Sequence, residues 1–443
     1  MKNWKRIWQK SLPFNGDSMH SHFSKLKNGA RVHLIPFSGT DAATILVLFK
    51  VGSRYEHQTI NGASHFIEHL MFKGTKRRPR TMDISRTLDA HGAEYNAFTG
   101  KDYTGYYVKI DSRHLPAAVD LLHDMLFHSV YDPKEMDRER NVIIEEINMY
   151  RDNPIMRVDD LLEEIMFKGN TLGWNIAGSP EGMKTMTRDD VVAYRDSHYI
   201  PSRMVIGVAG RVPKQILPLL EKTFGKVKSG SGAPSHFQLF NGRLSEAEPR
   251  FNVEFKETEQ IQLALGFPSF GLADKRNPAV SLLSVILGGT MSSRLFISVR
   301  ERKGLAYSVR ASNGTYEDVG AFTVQAGLDK SRLGEAVKTI VQEIKKIRMG
   351  GVSAEELREA KDHVRGRLLL KLEDSSDRAD WYARQELFLD KAEEPEGRMR
   401  AFDRVSRAHV QAAAKEILDM KKLSVAVIGP FKDATAFRKS SGL

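Results

Sequence analysis

Apolar and polar positions along this chain follow two periods. Short β-branched or aromatic runs, TILVLFKV at 44–51, Tyr103–Ile110 and QLALGF at 262–267, are bounded by polar or Gly-containing segments and predict strands. Longer stretches repeat their apolar residues every three or four positions and predict helices. They include HLPAAVDLLHDML from His114 and the segment from Asp132 through ERNVIIEEINMY. Asp132 followed by Pro133 supplies an N-cap and a first-turn proline for the second of these.

The same order of elements then occurs again. RLGEAVKTIVQEI, from Arg332, repeats the helix that starts at His114, 218 positions later. SAEELREAKDHVRGRL places Glu359 220 positions after Glu139. DDVVAYRDSHY leads into the apolar run MVIGVAG, ending at Gly210, and AHVQAAAKEIL leads into LSVAVIG, ending at Gly429, 219 positions on. Near-constant spacing across several elements is the mark of a duplicated unit. The expectation is an α+β fold of two homologous domains, each a mostly antiparallel sheet packed with helices. Residues 1–230 form the first domain, 231–249 the linker and 250–443 the second. Duplication also provides a control: groups that the fold requires should occur in both copies, whereas groups that serve chemistry need occur in only one.

Size and composition narrow the function. A chain of 443 residues exceeds what one hydrophobic core supports. No apolar run is long enough to cross a bilayer, so no membrane span is expected. The basic start MKNWKRIWQK has no apolar segment behind it and does not read as a secretory signal. Absence of cysteine excludes disulfides and thiolate metal sites, so any metal must be held by His and carboxylates. A net charge of +11 and the cluster Lys76, Arg77, Arg78, Arg80 invite a nucleic-acid reading. No nucleic-acid-binding motif surrounds them, and they read as a solvated basic loop.

The chemistry concentrates in GASHFIEHLMFKG. His65 and His69 lie four apart on a predicted helix and project from one face, with Glu68 on the same side. Two such imidazoles can close on one tetrahedral zinc. The order H-x-x-E-H is a metallopeptidase signature. A third protein ligand is needed, and the acids of ERNVIIEEINMY are the candidates. Glu139 and Glu146, two helical turns apart, share a face, and Glu145 is rotated away by about 100°. In the second copy Glu146 falls opposite Gly366, and the metal-motif helix falls opposite AVSLLSVIL (279–287), which has neither His nor acid. The polar groups are therefore dispensable to the fold. His57, His91, His114, His123 and His128 read as structural or surface residues.

HFIEH followed by Glu146, together with NGARVHLIP, VGSRYE, NAFTGKDYTGYY and LGGTMSSRLFISVRERKGLAYSV, resembles the pitrilysin-type inverzincin metallopeptidases, in particular the short processing-peptidase-like members. The resemblance spans nearly the whole chain. It implies one Zn²⁺ per chain held by His65, His69 and Glu146, with Glu68 as general base and Glu139 supporting the ligands. It implies that Arg300 and Tyr307 reach substrate from the second domain, and that the strand at Asn96 and Ala97 binds the peptide backbone. Without the resemblance, Arg300 and Tyr307 read as a helix-end arginine and a packed strand tyrosine, and Gly288–Gly289 as a loop over the chamber or a helix C-cap. The implied activity is zinc endopeptidase cleavage of unfolded peptides or N-terminal segments. The alternative is a catalytically silent, chamber-forming partner subunit. Four such domains close a chamber in this family, so a homodimer or a heterodimer with a related chain is expected. The address implied is bacterial cytoplasm, with the mitochondrial matrix second. An acidic lining for basic peptides would come from Glu56, Glu139, Glu145 and Asp152.

Overall fold

A computed structural model describes residues 21–230, 236–240 and 250–443. The basic N-terminal stretch and most of the expected linker lie outside the described residues. The first half carries β1 His22–Lys25, β2 Arg31–Pro36, β3 Ala42–Phe49, β4 Glu94–Thr99, β5 Thr104–Asp111 and β6 Met204–Gly210 in the order β1-β2-β6-β3-β5-β4. The second carries β7 Arg250–Phe255, β8 Gln260–Phe270, β9 Ala306–Thr315, β10 Val319–Asp329 and β11 Ser424–Gly429 in the order β7-β11-β8-β10-β9. Apart from β1 the two orders coincide. Each sheet is antiparallel except for one parallel pair, β2–β6 in the first and β7–β11 in the second. The fold is α+β, as the duplicated pattern predicts.

Helices match across the halves too. Leu115–His128 corresponds to Leu333–Gly350, Pro133–Asp152 to Ala354–Lys371, and Arg188–His198 to Arg407–Ile417. Asp132 caps its helix by accepting from the N–H groups of Lys134 and Glu135, and Pro133 opens the first turn.

The sequence does not disclose an exchange of helices between the halves. Helix Pro154–Met166 of the first half packs Val158, Leu161, Leu162 and Met166 against Ala264 of β8 and Ala426 and Ile428 of β11. Helix Ser375–Leu389 of the second half returns the contact. Its Ala379, Tyr382, Ala383 and Leu387 cover Ile35, Leu46, Leu48 and Val205 of the first sheet. Both faces of the central strands are thus buried, which is why β3, β6, β8 and β11 read as apolar runs rather than alternating ones.

Two expectations change. NAFTGKDYTGYY is not one strand but a hairpin, because Gly100–Tyr103 forms a turn in which Gly100 N–H donates to the Tyr103 carbonyl. β4 thereby becomes the edge of its sheet. Gly288–Gly289 is not a loop over a chamber. Gly288 lies within the π-helical turn Val285–Gly289 and is buried against β9, where a Cβ would lie 2.4 Å from Ala311 N.

Candidate metal centre

The motif helix is Ala63–Leu70. Phe66, Ile67 and Leu70 are buried on one side, leaving His65, Glu68 and His69 on the other. Its start is tightly fixed. Gly62 adopts φ 101°, and a Cβ there would meet the Ala177 carbonyl at 2.7 Å, so glycine is required. The buried Glu56 carboxylate accepts from Gly62 N–H (2.8 Å), Ser64 N–H (2.7 Å) and the Asn61 amide (3.0 Å). Glu56 therefore orients the helix rather than lining a chamber. Burial pushes it up to about 7 against the pull of those donors.

Helix Pro133–Asp152 lies alongside, with Met136, Glu139, Ile143 and Ile147 buried. It presents Glu146 to both imidazoles. His65 Nε2 and His69 Nε2 are 3.2 Å apart, and Glu146 Oε2 is 3.8 Å and 3.6 Å from them. Among the described residues this is the one His/acid group whose ligand atoms converge on a common point. A tetrahedral zinc with Zn–N of about 2.0–2.1 Å places its donors about 3.3–3.4 Å apart, so the residues fit that ion. Protonation agrees with this. His69 Nδ1–H donates to the Glu139 carboxylate (2.8 Å), and its Nε2 faces the shared point. Burial, then the neighbouring His69, lowers His65 to about 4, so at neutral pH it is the uncharged imidazole that ligation requires.

Glu139 is 5% exposed and also pairs with Lys73 Nζ at 2.6 Å. Burial raises its pKa, but the bonds from His69 and Lys73 outweigh that and hold it below the usual carboxylate range. The sequence left Glu139 and Glu146 equivalent by face, and the structure separates them. Glu146 faces the Nε2 atoms, whereas Glu139 grips the far side of His69. Glu68 accepts from Thr99 Oγ1, at the end of β4. Burial dominates its surroundings and raises its pKa.

His65, Glu68 and Glu146 open into a cleft of about 600 Å³, with Ala97, Phe98 and Thr99 of β4 on one side. Asn96 does not line it. Its side chain accepts from Ala97 N–H at 2.9 Å. Arg300 and Tyr307 are brought together but not to the cleft. The guanidinium lies 5.5 Å from the Tyr307 ring and 4.8 Å from that of Phe296, and Tyr307 is 74% exposed rather than packed.

The expected acidic lining is also elsewhere. Glu56 and Glu139 are committed as above, and Glu145 and Asp152 are exposed outside the cleft. Besides Glu68 and Glu146, the acids that line it are Asp160, Glu163 and Glu164, on the exchanged helix. Their spacing in PIMRVDDLLEEIM, one acid followed by two more three and four positions on, opposite Leu161 and Leu162, was the available signal. Glu163 pairs with Lys101 (3.1 Å) and accepts from Tyr316 OH of the second half, and Glu164 pairs with Arg157 (2.8 Å). Asp160 forms no ion pair among the described residues and accepts from the Asn175 amide (3.0 Å). Burial pushes it up to about 6. The basic loop is not free either, because Arg77 and Arg78 pair with Asp120 and Asp124, and Arg80 with Asp83. Among the described residues no helix is long and apolar enough to cross a membrane.

Two family models match the chain: insulinase, peptidase family M16, over residues 31–179, and the peptidase M16 inactive domain over residues 185–364. An uncharacterized zinc protease of Bacillus subtilis is 35% identical over 91% of this chain and 97% of its own length. One from Streptomyces coelicolor is 34% identical over 93% and 90%. Among solved structures, a protease from Helicobacter pylori superposes with a TM-score of 0.88 at 24% identity, covering 93% of this chain and 99% of its own. A peptidase M16 inactive domain protein from Pseudomonas fluorescens gives 0.85 at 17%, covering 93% and 98%. These two structures support the fold. The chain belongs to the M16 family of metallopeptidases, the pitrilysin-type family that its motif spacing resembles.

Proposed function

We propose that the chain is a zinc endopeptidase acting on unfolded peptides, with His65, His69 and Glu146 as ligands and Glu68 as general base. The observation that carries this reading is the convergence of three ligand atoms beside the half-buried Glu68 carboxylate in one open cleft. Zinc bound there would supply Lewis-acid polarisation of a water and of the scissile carbonyl. Glu68 takes the proton from the attacking water and delivers it to the leaving amine. Its raised pKa brings it nearer to working pH, and Thr99 fixes its Oε2. Glu139 orients His69 through Nδ1.

The outer edge of β4 binds an extended peptide by strand addition. Asn96 must then release the Ala97 N–H it now occupies, so that this donor can pair with substrate. Asp160, with Glu163 and Glu164 behind it, favours a basic side chain in the adjoining part of the cleft. Arg300 and Tyr307 are not among the residues lining this cleft, and within this reading they reach substrate from the second half. Within this reading residues 1–230 and 250–443 act as catalytic and supporting domains, and a dimer closes the chamber in a bacterial cytoplasm. The complete donor set speaks against a silent partner subunit.

The test is hydrolysis of a quenched-fluorescence library of unfolded peptides. Activity should vanish on chelation and return with about one equivalent of zinc per chain. A fully zinc-loaded protein that cleaves no member of the library favours the silent-subunit reading instead.

A further inference from the structure

The turn between β9 and β10 in the second half makes polar contacts to the first half with three consecutive residues. Tyr316 OH donates to Glu163. Glu317 N–H donates to Asp102 Oδ2 at 2.8 Å. The Asp318 carboxylate takes both terminal nitrogens of Arg54, at 2.8 and 3.1 Å. Arg54 is fully buried, and its Nη1 also reaches Asp102 Oδ1 at 2.9 Å. One guanidinium is therefore neutralised by two carboxylates, one from each half.

Asp102 sits in the tip of the β4–β5 hairpin. Ser53 N–H and Arg54 N–H donate to the Gly100 and Lys101 carbonyls at 3.2 and 3.0 Å. The approach at Gly52 is so close that a Cβ would lie 2.3 Å from the Gly100 oxygen. The tip is thus clamped between segment 52–54 and the turn of the other half. Thr99, immediately before it, is the residue that donates to Glu68.

We propose that Asp318 is a positioning residue for Glu68, acting through Arg54 and the hairpin tip to hold the Thr99 hydroxyl in place. The inference rests on Glu68 being the base. It gives the second half a role in catalysis that does not pass through Arg300 or Tyr307. A buried charge held by a fork of two carboxylates transmits displacement, because Arg54 cannot lose one partner without leaving a poorly compensated ion.

The experiment is a double-mutant cycle on the full chain with Asp318→Asn, Thr99→Val and the pair. Asp318→Asn alone should retain zinc and lower kcat by about fivefold or more, with KM within about twofold, yet change kcat by less than about twofold in the Thr99→Val background. Equal losses in both backgrounds, or an unchanged kcat in folded, zinc-loaded Asp318→Asn, overturn the proposal. Should Asp318→Asn not fold, Arg54→Lys, which keeps the charge but not the fork, replaces it in the cycle. Hydrogen exchange separates this proposal from the assignment of the base. If the wild-type protein shows no Glu68-dependent hydrolysis, that assignment fails, and the Gly100 amide still decides the coupling. Faster exchange at Gly100 in Asp318→Asn, with central β8 unchanged, supports the coupling, and unchanged exchange at Gly100 overturns it.

Discussion

Glu139→Gln probes how far the ligand geometry depends on its supporting shell. The native carboxylate is nearly buried and serves two donors at once, His69 Nδ1–H at 2.8 Å and Lys73 Nζ at 2.6 Å. A glutamine of the same shape has one acceptor oxygen and an NH₂ group, so it satisfies one donor and turns its own donor toward the other. Either His69 loses its charged partner or Lys73 faces an NH₂. Loss of a carboxylate behind a ligating histidine costs about 10–100-fold in metal affinity, or about 1.4–2.8 kcal/mol. Competition against a chromophoric chelator near neutral pH reads this directly. Glu145→Gln, on an exposed position of the same helix, serves as the control. Glu139→Gln should fall within that range, with the control within about twofold of wild type. Wild-type affinity in Glu139→Gln, or an equal loss in the control, would refute the assignment of Glu139 to His69.

Asp160→Asn should reduce the preference for peptides with a basic residue in the cleft. Because burial holds Asp160 up to about 6, it is neutral below that pH and charged above it, so the wild-type preference should grow as pH rises through about 6 and the variant's should not. A variant with the wild-type pH profile would remove Asp160 from substrate recognition. Leu162→Ala cuts into the exchanged helix where Leu162, 1% exposed, packs against Gly266 of β8. It should cost about 2–5 kcal/mol and lower the thermal midpoint by several degrees. An unchanged midpoint would mean that contact between the halves adds nothing to global stability.

Sequence legibility followed how local each feature is. The motif helix was readable because three polar groups lie on a segment whose other face is apolar, and the second copy lacks them. The long helix announced itself through Asp132 and Pro133. The exchange of Pro154–Met166 for Ser375–Leu389 was not readable, because an amphipathic helix does not encode which sheet it covers. The acidic wall was missed for the same reason, since Asp160 faces the cleft only once that helix has crossed to the second sheet. The β4–β5 turn hid inside a stretch of aromatic and polar residues that suits a strand equally well. Arg54, in VGSRYE, gave no sign that its partners lie 48 and 264 positions away.

The central claim, that Glu68 is the base beside a zinc held by His65, His69 and Glu146, is tested most directly by Glu68→Gln. Zinc content and hydrolysis of the peptide library are measured together on the variant and the wild type. Full zinc occupancy with turnover lost by about 10²-fold or more is the predicted result. Cleavage at the wild-type rate by a zinc-loaded Glu68→Gln protein would contradict the account.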